Sequence, residues 1–387
     1  MDNKHFNIWN KVCAALAFVV SAVTYLLTIE PTASFWDCGE FIASSYKLEV
    51  GHPPGNPVFQ LIARLFTLFS EGQGAAVAVN AMSAICSALT IFFLYLTIVF
   101  LVKRIVKRED DGSYALSSAI TIFASGLVGA LAYCFSDTFW FSAVEGEVYA
   151  MSSLFTAAVF WAMTKWYDQA DEPHSLRWIV LIAFLMGLSI GVHLLNLLTI
   201  PCLFFLFYFR KKEDGRYSFW QLAGVFLLSC VVLLLVMAFI QYLPKTAAFF
   251  DRIFVNGFHL PFNSGAAFFM VLLLLLCFVG IYLSWKKDKV WLNTVILCFT
   301  TLVIGFSIFS IVIIRSSVKT PTNEYQPDNP YTLVRYLGRE QYGSNPLIYG
   351  QTYDAAYELE DSWYWAPMGD RYIKARGQVH PVYDSKT

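Results

Sequence analysis

Apolar runs of about 20 residues recur along this 387-residue chain, and they constrain its fold more than any other feature. A helix rises about 1.5 Å per residue, so each run is long enough to cross about 30 Å of hydrocarbon. Because lipid offers no hydrogen bonds to the backbone, such runs cross it as helices. Only 14% of the residues are charged, against roughly a quarter in soluble domains. The sequence therefore predicts an all-α polytopic membrane protein.

The distribution of loop charge predicts nine crossings. The predicted spans are residues 12–29, 75–102, 115–135, 148–164, 178–191, 194–209, 218–243, 265–284 and 290–314. With nine, the N-terminus and the loops 103–108, 165–177, 210–216 and 285–289 share one side, which holds fifteen Lys and Arg against four on the other. A single helix over 178–209 would place basic loops outside, against the positive-inside rule. We therefore expect two short helices that meet near His193 on the outer side.

The composition changes after residue 315. The segment 316–387 is rich in Pro, Tyr, Asp and Gly and contains no span. We predict a transmembrane domain at 1–315 and an extracytoplasmic tail at 316–387 that begins a longer soluble region. The eight cysteines form no CxxC pair and most lie in apolar runs, so they are expected to pack as small hydrophobic residues. Nothing in the chain points to a nucleic-acid partner.

Ionisable residues gather on the predicted outer side, in three separate connections. Asp37, Glu40 and His52 follow the first span, Glu145 and Glu147 precede the fourth, and His193 lies between the fifth and sixth. Such groups are costly near the bilayer and tend to line sites, pathways or cavities. Their convergence on one side indicates a functional site there.

Asp37 and Glu40 are three residues apart and would share one face of a helix. Two interpretations are open. The pair resembles a capping box in which Asp replaces Ser or Thr. Alternatively, a carboxylate beside an apolar surface has a raised pKa and acts as a general base towards a hydroxyl. The two interpretations are compatible, since a capping Asp can still face a substrate.

The segment HPPGNP (52–57) is stiffer than a linker needs to be. The residues after it, 58–69, are too few to span and carry one polar stripe of Gln60, Arg64 and Thr67. They predict an interfacial helix along the outer surface. This would hold His52 at headgroup level, where it either contacts a lipid phosphate or makes a structural hydrogen bond.

The remaining outer polar residues also allow two interpretations. Glu145 and Glu147 either belong to the site or to a solvated loop. His193 and Asn196 lie three apart in an apolar run, so they need polar partners, which a substrate or a neighbouring helix could supply. Asp37, Glu40, Glu145, Glu147 and His193 could also assemble a site for Mg²⁺ or Mn²⁺.

Residues 36–65, WDCGEFIASSYKLEVGHPPGNPVFQLIARL, resemble the signature of the transmembrane protein 260-like family, D-x-G-E followed by H-P-P-G-x-P-[LV]-F. EGEVYAMSSLF and the His in GVHLLNLL resemble its later motifs, and NEYQPDNPYTLVRYLGREQYG resembles the tail of its Bacteroidetes-type members. The family is similar to GT-C glycosyltransferases, specifically protein O-mannosyltransferases. The resemblance covers essentially the whole chain, although the bacterial members continue into a longer soluble region.

The resemblance implies a GT-C-like bundle and an inverting transfer of a sugar, mannose in such enzymes, from a polyprenyl phosphate to Ser or Thr hydroxyls of exported proteins. Asp37 matches the catalytic base of the first outer loop. We assign Glu40 to orienting the acceptor or sugar, and His52 and Asn56 of the HPPG turn to the phosphate region. The expected sugar pocket is formed by Glu145, Glu147, Tyr149, His193 and Asn196.

This mechanism implies a lipid-linked donor, an exported acceptor protein and membrane lipids as partners, and an active site on the periplasmic side of a bacterial inner membrane. No cofactor or metal is required, because the lipid phosphate is itself a good leaving group. A divalent cation at the site is nevertheless compatible with the sequence. The alternative is a transporter or flippase of a lipid-linked or small polar substrate. It predicts paired half-helices and charged residues within spans, whereas the sequence shows one interruption, at 193–196, and no charged residue inside the predicted spans.

Overall fold

The computed structural model describes residues 1–212, 215–343, 371–375 and 377–386, and it is built almost entirely of helices. The helices are α1 (Asn3–Leu27), α2 (Cys38–Lys47), α3 (Pro57–Thr67), α4 (Gly74–Val102), α5 (Leu116–Cys134), α6 (Asp137–Ala143), α7 (Val148–Gln169), α8 (Arg177–Ile190), α9 (Ile200–Lys211), α10 (Phe219–Arg252), α11 (Ser264–Lys286), α12 (Val290–Phe306), α13 (Ser310–Ser317) and α14 (Pro330–Leu337). A short antiparallel pair, β1 (Arg371–Lys374) and β2 (Tyr383–Lys386), follows.

The prediction of an all-α polytopic membrane protein is confirmed. Seven helices in the described residues are long and apolar enough to cross a bilayer: Asn3–Leu27, Gly74–Val102, Leu116–Cys134, Leu194–Lys211, Phe219–Gly257, Ser264–Lys286 and Val290–Ser317. The other two predicted spans are also helical. However, α7 carries Lys165 and Asp168 near its end, and α8 has only 14 residues. By length and composition alone, seven of the nine predicted spans in the described residues therefore qualify as membrane-crossing helices.

The predicted interruption near His193 is present. Helix α8 ends at Ile190, the chain turns, and a 3₁₀ helix over Leu194–Thr199 leads into α9. Next to this break, α8 and α12 touch backbone to backbone. A Cβ on Gly187 would lie 2.4 Å from the carbonyl oxygen of Leu302, and one on Gly305 would lie 2.6 Å from the amide nitrogen of Leu188. Small residues at such crossings bring membrane helices into close contact.

Contacts join the basic loops at one end of the molecule. The N-terminal ammonium of Met1 donates to the carbonyl of Tyr114. The guanidinium of Arg104 lies 2.7 Å from the carboxylate of Asp168, and Arg210 pairs with Asp171. The N-terminus and the loops after α4, α7 and α9 therefore share one end, as the loop charges predict.

The first outer loop contains two helices rather than one. The polar stripe of α3 faces α2: the Gln60 amide donates to Ser44 Oγ at 3.0 Å, and the Arg64 guanidinium donates to the Tyr46 carbonyl at 2.6 Å. The exposed side of α3 instead carries apolar residues, Leu65 among them. The sequence predicted that this stripe belongs to an interfacial helix on the outer surface. In the structure the stripe instead joins α3 to α2, because the polar groups of the two helices hydrogen-bond to each other.

The beginning of the predicted tail packs against the membrane helices. The Val50 amide donates to the Thr322 carbonyl at 3.1 Å, and the Glu324 amide donates back to the Val50 carbonyl at 3.1 Å. Leu333 and Leu337 of α14 are buried in the same hydrophobic cluster as residues of α10 and α12. The domain boundary at 315/316 stays a prediction, and residues 344–370 of the tail lie outside the described part of the chain.

Candidate active site

A cavity of about 470 Å³ lies where α2, the HPPG turn and the first residues of α7 meet α8, α10 and α14. These are the helix ends opposite the basic loops. The lining residues are Asp37, Phe41, His52, Pro54, Gly55, Asn56, Glu147, Val148, Tyr149, Ile190, Val192, His193, Leu194, Met237, Ile240, Gln241, Phe309, Leu337 and Arg339. Six of the nine predicted site residues are among them: Asp37, His52, Asn56, Glu147, Tyr149 and His193.

Asp37 precedes α2 but does not cap it. Its backbone is in the right-handed helical region (φ −82°, ψ −3°), whereas a capping residue is usually extended, and its carboxylate makes no capping hydrogen bond. The capping-box interpretation of Asp37 and Glu40 is therefore wrong. The Asp37 side chain is 57% exposed, and the residue lines the cavity. Its carboxylate is available to a ligand.

Glu40 lies behind His52 rather than on the cavity wall. Glu40 Oε1 accepts from the His52 backbone amide at 2.6 Å, and Oε2 lies 3.0 Å from His52 Nδ1. The hydrogen bond with Glu40 raises the pKa of His52, because it favours the imidazolium. Burial opposes ionisation of Glu40, but its hydrogen bonds with His52 lower its pKa overall. Glu40 thus fixes the ring of His52, whose Nε2 lies 3.9 Å from the Asp37 carboxylate.

The HPPG turn is shaped around Tyr336 of α14. The Gly55 amide donates to the His52 carbonyl at 2.9 Å, and Gly55 has a φ of +76°, a conformation that glycine adopts without strain. A Cβ on Gly55 would lie 2.6 Å from the Tyr336 hydroxyl. The next residue, Asn56, is 5% exposed, and its Nδ2 donor has no partner among the described residues. Because Asn56 lines the cavity, a ligand there could satisfy this donor.

The two glutamates before α7 have different environments. Glu147 is 7% exposed, lines the cavity and accepts from the Val148 amide at 3.2 Å. Burial raises the pKa of Glu147 to about 7. Burial also raises the pKa of Glu145, but this residue does not line the cavity. Glu147 is therefore the member of the pair that can exchange a proton with a ligand near neutral pH.

The three remaining predicted residues lie around the break after α8. Tyr149 and His193 line the cavity, and their ring centroids are 5.4 Å apart. His193 Nδ1 accepts from the Leu195 amide at 3.1 Å, and burial lowers the pKa of His193. Asn196 is fully buried outside the cavity wall, where its amide donates to Ser189 Oγ at 3.0 Å. The hydrogen bond between helical segments is the interpretation that the structure supports for Asn196.

Asp37, Glu40 and His52 each offer one ligand atom, and these three atoms lie within 4.8 Å of one another. Among the described residues, this trio is the cluster that could hold a metal ion. It shares only two members with the five-residue cation site that the sequence allowed, since Glu145, Glu147 and His193 do not join it. The Glu40 carboxylate is already hydrogen-bonded to His52, so a cation would compete with that bond.

The sequence did not indicate the cavity residues contributed by α10 and by the end of α14. Met237, Ile240 and Gln241 lie in a long apolar run, and Leu337 and Arg339 lie in the segment assigned to the tail. No local pattern distinguishes a cavity-facing Met or Ile from one that faces lipid. For Arg339, the available signal was its place in the segment NPYTLVRYLGRE, which resembles a family motif.

Residues 37–216 match the family model described as the N-terminal domain of protein O-mannosyl-transferase TMEM260. This part of the chain is therefore similar to that domain. The match begins at Asp37 and includes the HPPG turn, both glutamates and His193, which confirms the resemblance of the motifs in this range. The tail motif at residues 323–343 lies outside the match, so its resemblance stays a prediction. Arg339 and the rest of the α10–α14 wall lie outside the matched residues.

Two relatives named protein O-mannosyl-transferase TMEM260 align with about half of the chain. The one from Dictyostelium discoideum is 26% identical over 223 residues, which cover 54% of this chain and 24% of the relative. The one from Mus musculus is 29% identical over 199 residues, which cover 51% of this chain and 26% of the relative. The matched part thus corresponds to about a quarter of each relative. No solved structure matches the chain significantly.

Proposed function

We propose that the chain is a GT-C-type glycosyltransferase that moves mannose from a polyprenyl-phosphate donor to Ser or Thr hydroxyls of exported proteins on the outer face of a bacterial inner membrane. The observation that carries this proposal is the exposed carboxylate of Asp37 on a cavity wall just beyond the first apolar helix. A lipid-linked sugar keeps its tail in the bilayer and its reactive carbon at this depth. The names of the relatives support the same chemistry.

In the proposed reaction, Asp37 accepts the proton of the acceptor hydroxyl while its oxygen forms a bond to the anomeric carbon. The bond between that carbon and the phosphate oxygen breaks, and the lipid phosphate leaves with the electron pair. Attack opposite the leaving group inverts the anomeric carbon. The hydrogen bond with Glu40 favours the protonated form of His52, and this form would stabilise the departing negative charge. The reaction as written needs no metal.

The other site residues take supporting roles in this proposal. Glu40 acts through His52, which replaces the direct contact with acceptor or sugar that the sequence suggested. Glu147, Tyr149 and His193 line the part of the cavity where the sugar would bind, and Glu147 can donate or accept a hydrogen bond because its pKa is about 7. Glu145 and Asn196 would support this wall from outside the cavity.

The first prediction concerns Asp37. With the full chain in lipid nanodiscs, mannose-labelled polyprenyl phosphate and a Ser/Thr-rich peptide, Asp37→Asn should lower the turnover number at least about a hundredfold, because a general base contributes about 10²–10⁴. Asp137→Asn is the matched control, since Asp137 lies at the same end of the molecule but outside the cavity. If Asp37→Asn labelled the peptide as fast as the wild type, Asp37 would not be the catalytic base.

Intact masses of exported proteins from cells with and without the chain test the activity itself. The proposal expects a hexose increment that disappears on deletion. The alternative, a flippase, predicts instead that the lipid-linked donor accumulates on the inner leaflet of cells that lack the chain. It also predicts that the purified chain labels no peptide. Within the described residues, helix α8 is followed by a single break rather than by the paired half-helices that such a transporter would use.

A further inference from the structure

Arg339 is a cavity-lining residue with a permanent positive charge. No other Lys or Arg lines the cavity in the described part of the chain, and no salt bridge is formed by Arg339 within that part. Its guanidinium lies 4.8 Å from the ring of Tyr342, and its charge contributes to the lowered pKa of His193. The cavity wall therefore carries a cationic group that has no carboxylate partner among the described residues.

The position of Arg339 is fixed by α14. Asn329 caps this helix through the amides of Tyr331 and Thr332, and Pro330 occupies its first turn. Arg339 follows the helix in a left-handed conformation (φ 54°), with its amide donating to the Tyr336 carbonyl at 3.1 Å. The segment is thus ordered by its own hydrogen bonds.

Tyr336 joins this segment to the HPPG turn. Tyr336 is 1% exposed, and its hydroxyl donates to the Gly51 carbonyl at 2.7 Å, with the His52 carbonyl 3.3 Å away. Tyr336 therefore links the two segments, since its backbone carbonyl accepts from the Arg339 amide and its hydroxyl donates to the backbone of the HPPG turn. Arg339 and His52 thus line one cavity although 287 positions of sequence separate them.

Asn56 adds a second, independent indication of a ligand. Its buried Nδ2 donor lacks a partner among the described residues, and the residue lines the same cavity. Leaving a buried donor unsatisfied costs free energy, so such a group is usually paired in the functional state. Arg339, His52 and Asn56 can all donate, and a phosphate ester is a ligand whose free oxygens only accept.

We propose that Arg339 and Asn56 bind the phosphate group of a lipid phosphate in this cavity, with Met237 and Leu337 contacting the start of its hydrocarbon chain. The proposal rests on the proposed function and deepens it, because it assigns the phosphate contacts to residues on both sides of the HPPG turn. Arg is suited to this role, since its planar guanidinium donates two parallel hydrogen bonds to one phosphate. Arg339 would then stay with the phosphate before and after the sugar leaves.

The test measures binding of undecaprenyl phosphate, which carries no sugar, to the full chain in phosphatidylcholine nanodiscs by native mass spectrometry. Arg339→Gln should weaken binding about tenfold to hundredfold, because a hydrogen bond to a charged group is lost. Arg339→Lys should fall between this variant and the wild type. Arg335→Gln is the matched control, since Arg335 lies on α14, pairs with Glu340 at 3.1 Å and does not line the cavity. Equal binding by Arg339→Gln and wild type would overturn the proposal.

Two further ligands identify the group that is recognised. Undecaprenol, which lacks the phosphate, should bind wild type and Arg339→Gln equally. If Arg339→Gln weakened the binding of undecaprenol as much as that of undecaprenyl phosphate, the phosphate contact would be refuted. Inorganic phosphate should compete only weakly, and competition as strong as that of the lipid would show a site for free phosphate instead. Mannose transfer is not needed for any of these measurements. A chain that transfers no sugar but binds the lipid phosphate through Arg339 would refute the proposed function and leave this inference standing.

Discussion

The protonation of Glu147 makes the charge of the cavity depend on pH. Burial is the main cause that raises its pKa, from 4.5 to about 7, and the nearby carboxylates of Asp37 and Glu145 act in the same direction. The neutral form is thus favoured in the folded protein. The stability that this group contributes is fully present below pH 4.5 and is lost as the pH rises towards 7.

The corresponding prediction is that Glu147→Gln reduces the dependence of stability on pH. Glutamine stays neutral and keeps an oxygen that can accept from the Val148 amide, so the melting temperature in detergent should fall less between pH 5 and pH 8 than in the wild type. Glu71→Gln is the control, because Glu71 is exposed and lies outside the cavity. The same fall in the wild type and Glu147→Gln would show that Glu147 does not titrate in this range.

Residues differ in how far the sequence could predict them. Asp37 and His52 lie in a polar segment just after an apolar run, where their cost near lipid makes them conspicuous. Glu145 looked equivalent to Glu147, because a two-residue spacing does not show which side chain faces a cavity. Arg339 lies in a segment that resembles a family motif, but the sequence did not show that it lines the cavity, since its neighbours there are distant in sequence and are reached only through the packing of α14.

The HPPG turn is the element on which the site depends most, and its glycine provides a test. Gly55 and Gly72 both have positive φ, +76° and +52°, but only Gly55 lies against another side chain: a Cβ there would meet the Tyr336 hydroxyl at 2.6 Å, whereas nothing lies within 4 Å of one at Gly72. Gly72→Ala should therefore lower the free energy of unfolding only by the cost of a left-handed Ala, about 1 kcal/mol.

Gly55→Ala should destabilise the protein more than Gly72→Ala, because Tyr336 is buried and hydrogen-bonded to the Gly51 carbonyl and cannot move away freely. Thermal unfolding of both variants in one detergent measures the difference. Equal melting temperatures would mean that Tyr336 does not fix the turn. Undecaprenyl phosphate binding should also weaken in Gly55→Ala and stay at the wild-type level in Gly72→Ala.

Helices were the most predictable elements, because a membrane makes apolar length a direct signal. All nine predicted spans are helical, and the break at His193 followed from loop charge. The sequence did not predict the orientation of α3. Its stripe of Gln60, Arg64 and Thr67 specifies a polar neighbour, and that neighbour turned out to be α2 rather than water.

At the scale of the whole molecule, charge and cavity lie at opposite ends. The contacts of Met1, Arg104 and Arg210 gather the basic loops at one end. The indole of Trp140 in α6 donates to Thr28 Oγ1 at 2.9 Å, which places α6 beside the end of α1, close to the start of α2 at the cavity. If the basic end is cytoplasmic, as the positive-inside rule expects, the cavity faces the outside.

Labelling with a membrane-impermeant maleimide tests this orientation. In intact cells, Asp137→Cys should react, because Asp137 is exposed on α6 at the cavity end. Glu109→Cys, in the exposed loop after α4, should react only after permeabilisation. The eight native cysteines are the background to subtract, and most of them are in apolar helices where the thiolate is disfavoured. The reverse pattern would turn Asp37 towards the cytoplasm, where exported proteins cannot reach it, and the proposed transfer at the outer face would be wrong.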